Sequence, residues 1–228
     1  MPQLFSPNLH LENKIMDQVT LTINDRKVTV DKETSILRAA LANDIFIPHL
    51  CYHPDLPSSG VCRLCMVEVG GSTTVLSCRT PVEEGMVVKT TSPEIDRDRR
   101  VNFEIIVANH HLDCKGCPGI SYCKLLRLMG PLRLDRKRVR RLRLPQEELP
   151  LDNANPFLTY DANKCVICEI CVHTCEKIQH ALHVVGRGPK TKIAFYGDAA
   201  RCENCGACIA NCPVGALYAP KKDLAESA

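Results

Sequence analysis

Fifteen cysteines in a chain of 228 residues are the feature most able to do chemistry. Near the C-terminus Cys165, Cys168, Cys171 and Cys175 follow the spacing C-x2-C-x2-C-x3-C. Cys202, Cys205, Cys208 and Cys212 repeat it, with Pro213 behind them. Three cysteines at i, i+3 and i+6 in a tight loop can wrap three corners of an iron–sulfur cubane. The fourth, on the helix that follows, reaches the other cluster of the pair. The sets are therefore expected to cross: Cys165, Cys168 and Cys171 with Cys212, and Cys202, Cys205 and Cys208 with Cys175. Small neighbours such as Gly206 and Ala207 let backbone N–H groups approach sulfur, which raises a reduction potential. Glu176 follows Cys175 where proline is usual, which weakens the turn signal and removes no ligand. Structural zinc, the competing reading, prefers two separated pairs of ligands.

Cys51, Cys62, Cys65 and Cys78 are spaced C-x10-C-x2-C-x12-C. This is not the plant-type spacing of a [2Fe–2S] protein, so the reading depends on context. Three thiols sit on loops after a helical stretch and the fourth at the end of a hairpin strand. That suits a β-grasp [2Fe–2S] domain with a lengthened first loop, which Ser58, Ser59 and Gly60 allow to fold closely. A four-cysteine zinc site and unmetallated thiols are the alternatives. The middle group, Cys114, Cys117 and Cys123, is one thiolate short of a cubane set. His110 stands four residues before Cys114, and a neutral imidazole can complete the set with less negative charge than a thiolate. Adjacent His111 competes for that role, and zinc could take the same four ligands. With these assignments every cysteine is used, and none is left for a nucleophile or a redox disulfide.

The elements that must position these thiols follow from periodicity. Residues 18–30 alternate apolar and polar around Asn24-Asp25, a hairpin signal. Residues 35–43 have helical spacing with Thr34 as N-cap. Strands over 66–69 and 73–77 flank Gly70-Gly71, and 86–90 supplies a closing strand. Residues 93–109 turn helical behind Pro93. Residues 124–144 carry nine Lys/Arg and one Asp, and 145–157 has the composition of a linker. The fold class expected is α+β. Its domains are a tail over 1–16, a β-grasp [2Fe–2S] domain over 17–92, a short helical [4Fe–4S] segment over 93–150, and a bacterial-type two-cluster ferredoxin domain over 151–228.

Residues 1–16 lack the basic start and apolar stretch of a secretory signal, and no apolar run approaches a bilayer span. A cytoplasmic, reducing setting is expected, where clustered cysteines are metal ligands more often than disulfides. The formal charge of +3 changes sign once the thiols carry metal. Four oxidised cores contribute roughly +8 against the thiolates, leaving the holoprotein near roughly −4. No glycine-rich dinucleotide fingerprint follows a strand, so no NAD or FMN site is expected, and no catalytic residues are assigned. Gly186-Arg187-Gly188 is a turn signal. His10, His49, His53, His173, His180 and His183 are expected to pack or face solvent.

Taken together, IPHLCYHPDLPSSGVCRLCMVEV, NHHLDCKGCPGISYC, CVICEICVHTC and CENCGACIANCPVGAL resemble the small iron–sulfur diaphorase-type subunit of NAD(P)-linked hydrogenases and formate dehydrogenases. They are also similar to the N-terminal region of the large iron–sulfur subunit of respiratory complex I. The resemblance covers roughly residues 18–218, and its middle motif places the histidine ligand at His110. It implies one [2Fe–2S] and three [4Fe–4S] clusters that relay single electrons between a flavin/NAD(P)-binding subunit and a redox catalytic subunit. The chain alone would catalyse no net reaction. The basic stretch 133–143 has no counterpart in that pattern. A docking surface for an acidic partner is the reading it favours. The alternatives are an iron–sulfur nucleic-acid-binding or regulatory protein, which lacks the aromatic residues for base stacking, and a structural multi-zinc scaffold.

Overall fold

The computed structural model describes residues 17–220 apart from 144, 146 and 147. The tail expected over 1–16 lies outside the described residues. The chain opens with an antiparallel hairpin, β1 (Gln18–Ile23) and β2 (Arg26–Asp31). Asn24 and Asp25 both adopt positive φ, 48° and 64°, as a two-residue turn matched to strand twist requires. Helix α1 (Ile36–Ala42) follows. Its N-cap is Ser35 rather than the expected Thr34: the Ser35 hydroxyl accepts from the Arg38 amide at 3.3 Å, while the Thr34 carbonyl accepts from Val82. Strands β3 (Met66–Val69) and β4 (Thr73–Leu76) form the second hairpin, and β5 (Val87–Lys89) closes the sheet. The strand order is β2-β1-β5-β3-β4, with β1 and β5 parallel and the other pairs antiparallel. Ile36, Leu37, Ala39 and Ala40 of α1 are buried against this sheet in a core shared with Leu21, Ile23, Val67 and Val88.

Helix α2 (Pro93–Ala108) leaves the sheet. Ser92 caps it, Pro93 occupies its first turn where no N–H is needed, and Glu94 and Asp96 suit its positive end. Its buried face runs Ile95, Arg99, Phe103, Glu104, Val107 and Ala108. The basic stretch that follows is two short helices, α3 (Lys124–Met129) and α4 (Arg136–Leu142). Asp135 caps α4 by accepting from the Lys137 and Arg138 amides, and those bonds hold its carboxyl below the usual range.

The last third is a repeat. Strand β6 (Thr159–Tyr160) leads to α5 (Ile170–Glu176), then a hairpin of β7 (Leu182–Val185) and β8 (Lys192–Phe195), then α6 (Ala207–Ala210) and β9 (Leu217–Tyr218). β6 and β9 pair antiparallel, so the two ends of the repeat meet. The segment with linker composition is tied down here. Asp152 exchanges two backbone bonds of 2.9 Å with Tyr160, and Leu149 exchanges two bonds with the Asn163 side chain.

A second and larger core joins all of this. It holds Leu50, Cys51, Cys62 and Leu64 from the first unit, Phe103 and Val107 of α2, Leu125, Leu128 and Val139 of α3 and α4, and the buried cysteines of the repeat. Beneath it, Glu104 is fully buried and faces the Arg138 guanidinium at 3.0 Å, at an angle that makes an ion pair rather than a hydrogen bond. Part of the basic stretch therefore points inward, because a buried carboxylate on α2 needs a cation. Arg138→Ala strands that carboxylate. The expected loss is about 3 kcal/mol, read as a lowered unfolding temperature. The double variant Glu104→Leu/Arg138→Leu should recover most of it.

Candidate metal centres

The first four thiols form two close pairs. The Sγ atoms of Cys51 and Cys62 lie 3.2 Å apart, and Cys65 is hydrogen-bonded to Cys78. Within each pair one thiol is pushed down by the bond it accepts, Cys62 to about 6 and Cys65 to about 7, and its partner is pushed up by the bond it donates. Two pairs side by side are the arrangement that two irons, each with two thiolates, require. Backbone bonds hold the frame: the Ser77 amide and hydroxyl both donate to the Cys65 carbonyl, at 3.1 and 2.6 Å. All four cysteines are buried.

Of the middle group, His110 lies just past the end of α2 and Cys123 at the start of α3. His110 is buried, and its Nδ1 donates to the Lys164 carbonyl at 2.9 Å. That bond fixes the tautomer and leaves Nε2 with a free lone pair. Burial pushes its pKa down to about 4, so the ring stays neutral, as a ligand must. Arg143 of the basic stretch clamps the same turn, donating to the Ala108 carbonyl at 3.3 Å and the His110 carbonyl at 2.7 Å. His111 turns the other way. It is exposed, its amide bonds the Asn163 carbonyl, and its ring lies 3.8 Å from Glu148. Cys123 is pushed up by burial and by the nearby Cys117 and Cys114.

In the repeat, the structure brings together Cys165, Cys168, Cys171 and Cys212 around one cavity and Cys175, Cys202, Cys205 and Cys208 around another. Local geometry explains the crossing. Asp161 caps a 3-10 turn just before Cys165, and Asp198 caps one that ends on Cys202. Glu169 and Gly206 each take a left-handed conformation, φ 66° and 57°, and each starts the helix that follows. Cys175 lies within α5, while Cys212 falls just beyond the short α6. Burial pushes Cys168 and Cys208 up to about 12 and Cys171 well above its ordinary value. Thiols held this way ionise only beside a positive core, so the donor set fits an iron–sulfur group. Among the described residues no three His, Cys, Asp or Glu close on one point as the ligands of a single ion do. The second set is the more open, with Cys205 exposed.

Two polar partners of these thiols, and one residue that joins the first unit to α5, carry no spacing signal in the sequence. Gln179 Nε2 donates to Cys202 Sγ at 3.0 Å. The Tyr160 hydroxyl bonds Cys165 and also accepts from the Ile193 amide at 3.2 Å. His173, expected only to pack or face solvent, joins the first unit to α5: its Nδ1 donates to Glu176 at 2.8 Å and its Nε2 accepts from Ser59 at 3.1 Å. Lys177 adds a bond to the Asp55 carbonyl. The middle segment meets the repeat at Gly119 and Gly215, whose backbones touch so closely that an added Cβ on Gly215 would lie 2.5 Å from the Gly119 nitrogen.

Residues 16–93 match the 2Fe-2S iron-sulfur cluster binding domain, and residues 164–216 match the 4Fe-4S dicluster domain. Fold and thiol arrangement thus define an iron–sulfur protein with ferredoxin-type domains. Its similarity to known proteins is wider than either domain. NADPH-Fe(3+) oxidoreductase subunit alpha of Geobacter sulfurreducens is 36% identical over 206 residues, 87% of this chain and 24% of the relative. NADP-reducing hydrogenase subunit HndD of Solidesulfovibrio fructosivorans is 34% identical over 224 residues, 89% of this chain and 36% of the relative. A chain of a NAD+-reducing [NiFe]-hydrogenase in the H2-reduced state superposes with TM-score 0.75 at 28% identity, covering 92% of this chain and 90% of that one. The chain spans about a quarter to a third of the length of those two curated relatives. The resemblance to iron–sulfur subunits of NAD(P)-linked oxidoreductases therefore holds.

Gly215 has φ +70° as well as its crowded neighbour. Gly215→Ala should cost more than the about 1–2 kcal/mol of a left-handed L-residue, read by thermal unfolding. Gly85→Ala, at φ +74° with nothing within 4 Å, should cost only that backbone part.

Proposed function

We propose that the chain is an electron-transfer subunit of a multi-subunit NAD(P)-linked oxidoreductase, holding one [2Fe–2S] and three [4Fe–4S] clusters. The ligands are Cys51, Cys62, Cys65 and Cys78 for the first, and His110, Cys114, Cys117 and Cys123 for the second. Cys165, Cys168, Cys171 and Cys212 hold the third, and Cys202, Cys205, Cys208 and Cys175 the fourth. The observation that carries this reading is the pair of cavities in the repeat, each lined by three thiols of one run and the fourth thiol of the other.

Bound clusters supply one-electron chemistry, and the chain's own residues hold and tune them. Histidine in place of a thiolate leaves the second site less negative and raises its potential. Hydrogen bonds from Gln179 and Tyr160 to sulfur act in the same direction at the repeat. The partners are a flavin/NAD(P)-binding subunit and a redox catalytic subunit such as a hydrogenase or formate dehydrogenase, in the cytoplasm. By itself the chain catalyses no net reaction. Among the described residues no helix is long and apolar enough to cross a membrane.

The purified protein should contain roughly fourteen irons per chain, and dominant zinc would sink the reading. His110→Ala should remove roughly four irons and one [4Fe–4S] signal in EPR, while His111→Ala leaves both unchanged. Loss of iron in the His111 variant alone would reassign the ligand. Gln179→Leu should lower the midpoint potential of one [4Fe–4S] signal in an EPR-monitored titration without loss of iron.

A further inference from the structure

A second kind of site lies outside the thiol groups, in a cavity of ≈ 440 Å³ between the loop before Leu50, the first turns of α2 and the turn after α3. Four arginines, Arg97, Arg99, Arg100 and Arg133, line it against one acid, Asp96. The rest of its wall is apolar or nearly so, led by Phe46, which is 56% exposed, and by Leu132.

Arg99 is the unusual member. Its side chain is 2% exposed, Nη2 donates to the Met66 carbonyl, and Nη1 faces Asp96 at 3.6 Å. Its Nε is buried with no hydrogen-bond partner, and so is the Nε of Arg100. A buried guanidinium N–H without an acceptor is costly, and burial pushes the Arg99 pKa down. Both residues line the cavity through other atoms, since each Nε is itself covered by protein. The dipole of the sixteen-residue α2 adds positive potential at the same end. Exposed Arg97, which also faces Asp98 at 3.6 Å, and exposed Arg133 add planar forks suited to phosphate oxygens.

We propose that this cavity binds a phosphate-bearing small molecule of nucleotide size, with phosphates on the arginines and a flat apolar part against Phe46. The volume lies within the range of small-molecule sites and exceeds what one carboxylate or one free phosphate fills. No cysteine lines the cavity, so its test stands apart from that of the thiol sets.

The test is calorimetric titration of the cluster-loaded chain with ADP, pyrophosphate and inorganic phosphate. ADP should bind with Kd below about 1 mM, more tightly than pyrophosphate, and inorganic phosphate should bind weakest. Arg100→Glu/Arg133→Glu should raise the ADP Kd at least about tenfold. Arg140→Glu/Arg141→Glu changes the charge equally on the exposed part of α4 and should leave the Kd unaltered. Phe46→Ala should weaken ADP and spare pyrophosphate. No binding of any probe overturns the proposal and leaves the cavity to an acidic side chain of a partner. Equal effects of the two charge reversals overturn it in favour of diffuse attraction. Pyrophosphate as tight as ADP overturns the nucleotide assignment.

Discussion

Buried sulfur that must carry negative charge is the constraint on which the rest of this structure depends. In the repeat, burial drives Cys168, Cys171 and Cys208 far from ionisation, and repulsion from neighbouring thiolates adds to it. A positive core reverses that balance, but only if the chain has already brought four sulfurs to its corners. The fold therefore spends much of its irregular backbone around cysteines. Arg63, Ile167, Glu169 and Gly206 all take positive φ within four residues of one. Capping aspartates, short 3-10 turns and backbone N–H groups directed at sulfur serve the same end.

One consequence is a division between two cores. The sheet and α1 make a small core that resembles any half-buried mixed sheet. The larger core is organised around the cysteines and draws Cys51 and Cys62 away from the sheet into contact with α2, α3 and the repeat. The first unit is thereby bound to the rest through its thiol-bearing loop. Ser59 with His173, and Asp55 with Lys177, fasten that loop to the helix that carries Cys171 and Cys175. The middle segment is fastened to the same unit by the contact of Gly119 with Gly215 and by the bond between His110 and the Lys164 carbonyl, one residue before Cys165. Both outer groups thus meet the elements that carry the Cys165 set.

The basic stretch shows how one run of like charge can serve opposite ends. Residues 136, 137, 140 and 141 of α4 are exposed and form a cationic face. Arg138 and Arg143 are exposed as well, yet their guanidinium groups reach inward, one to a buried carboxylate and the other to the carbonyls that end α2. A helix distributes neighbouring residues around its axis, so composition alone could not separate the two roles.

Much of the local structure was legible in the residues. Asn24-Asp25 and Gly70-Gly71 mark hairpins because few residues tolerate positive φ. Pro93 marks a helix start because its missing N–H costs nothing there. The repeated C-x2-C-x2-C-x3-C spacing marks crossed thiol sets because a tight loop can present only three corners. The choice of Ser35 over Thr34 as a cap was not legible, since it turned on one extended backbone conformation. The partners of the thiols were not legible either. Gln179, Tyr160 and His173 carry no spacing of their own, and only tertiary packing brings them to sulfur or across the domain boundary. The sequence by itself determined which residues can donate to iron, because donor type and local spacing are properties of short segments. Only the tertiary structure decided how His110 is oriented, which arginines face inward, and where a cationic cavity opens, because each of those depends on a carbonyl, a carboxylate or a wall supplied from far along the chain.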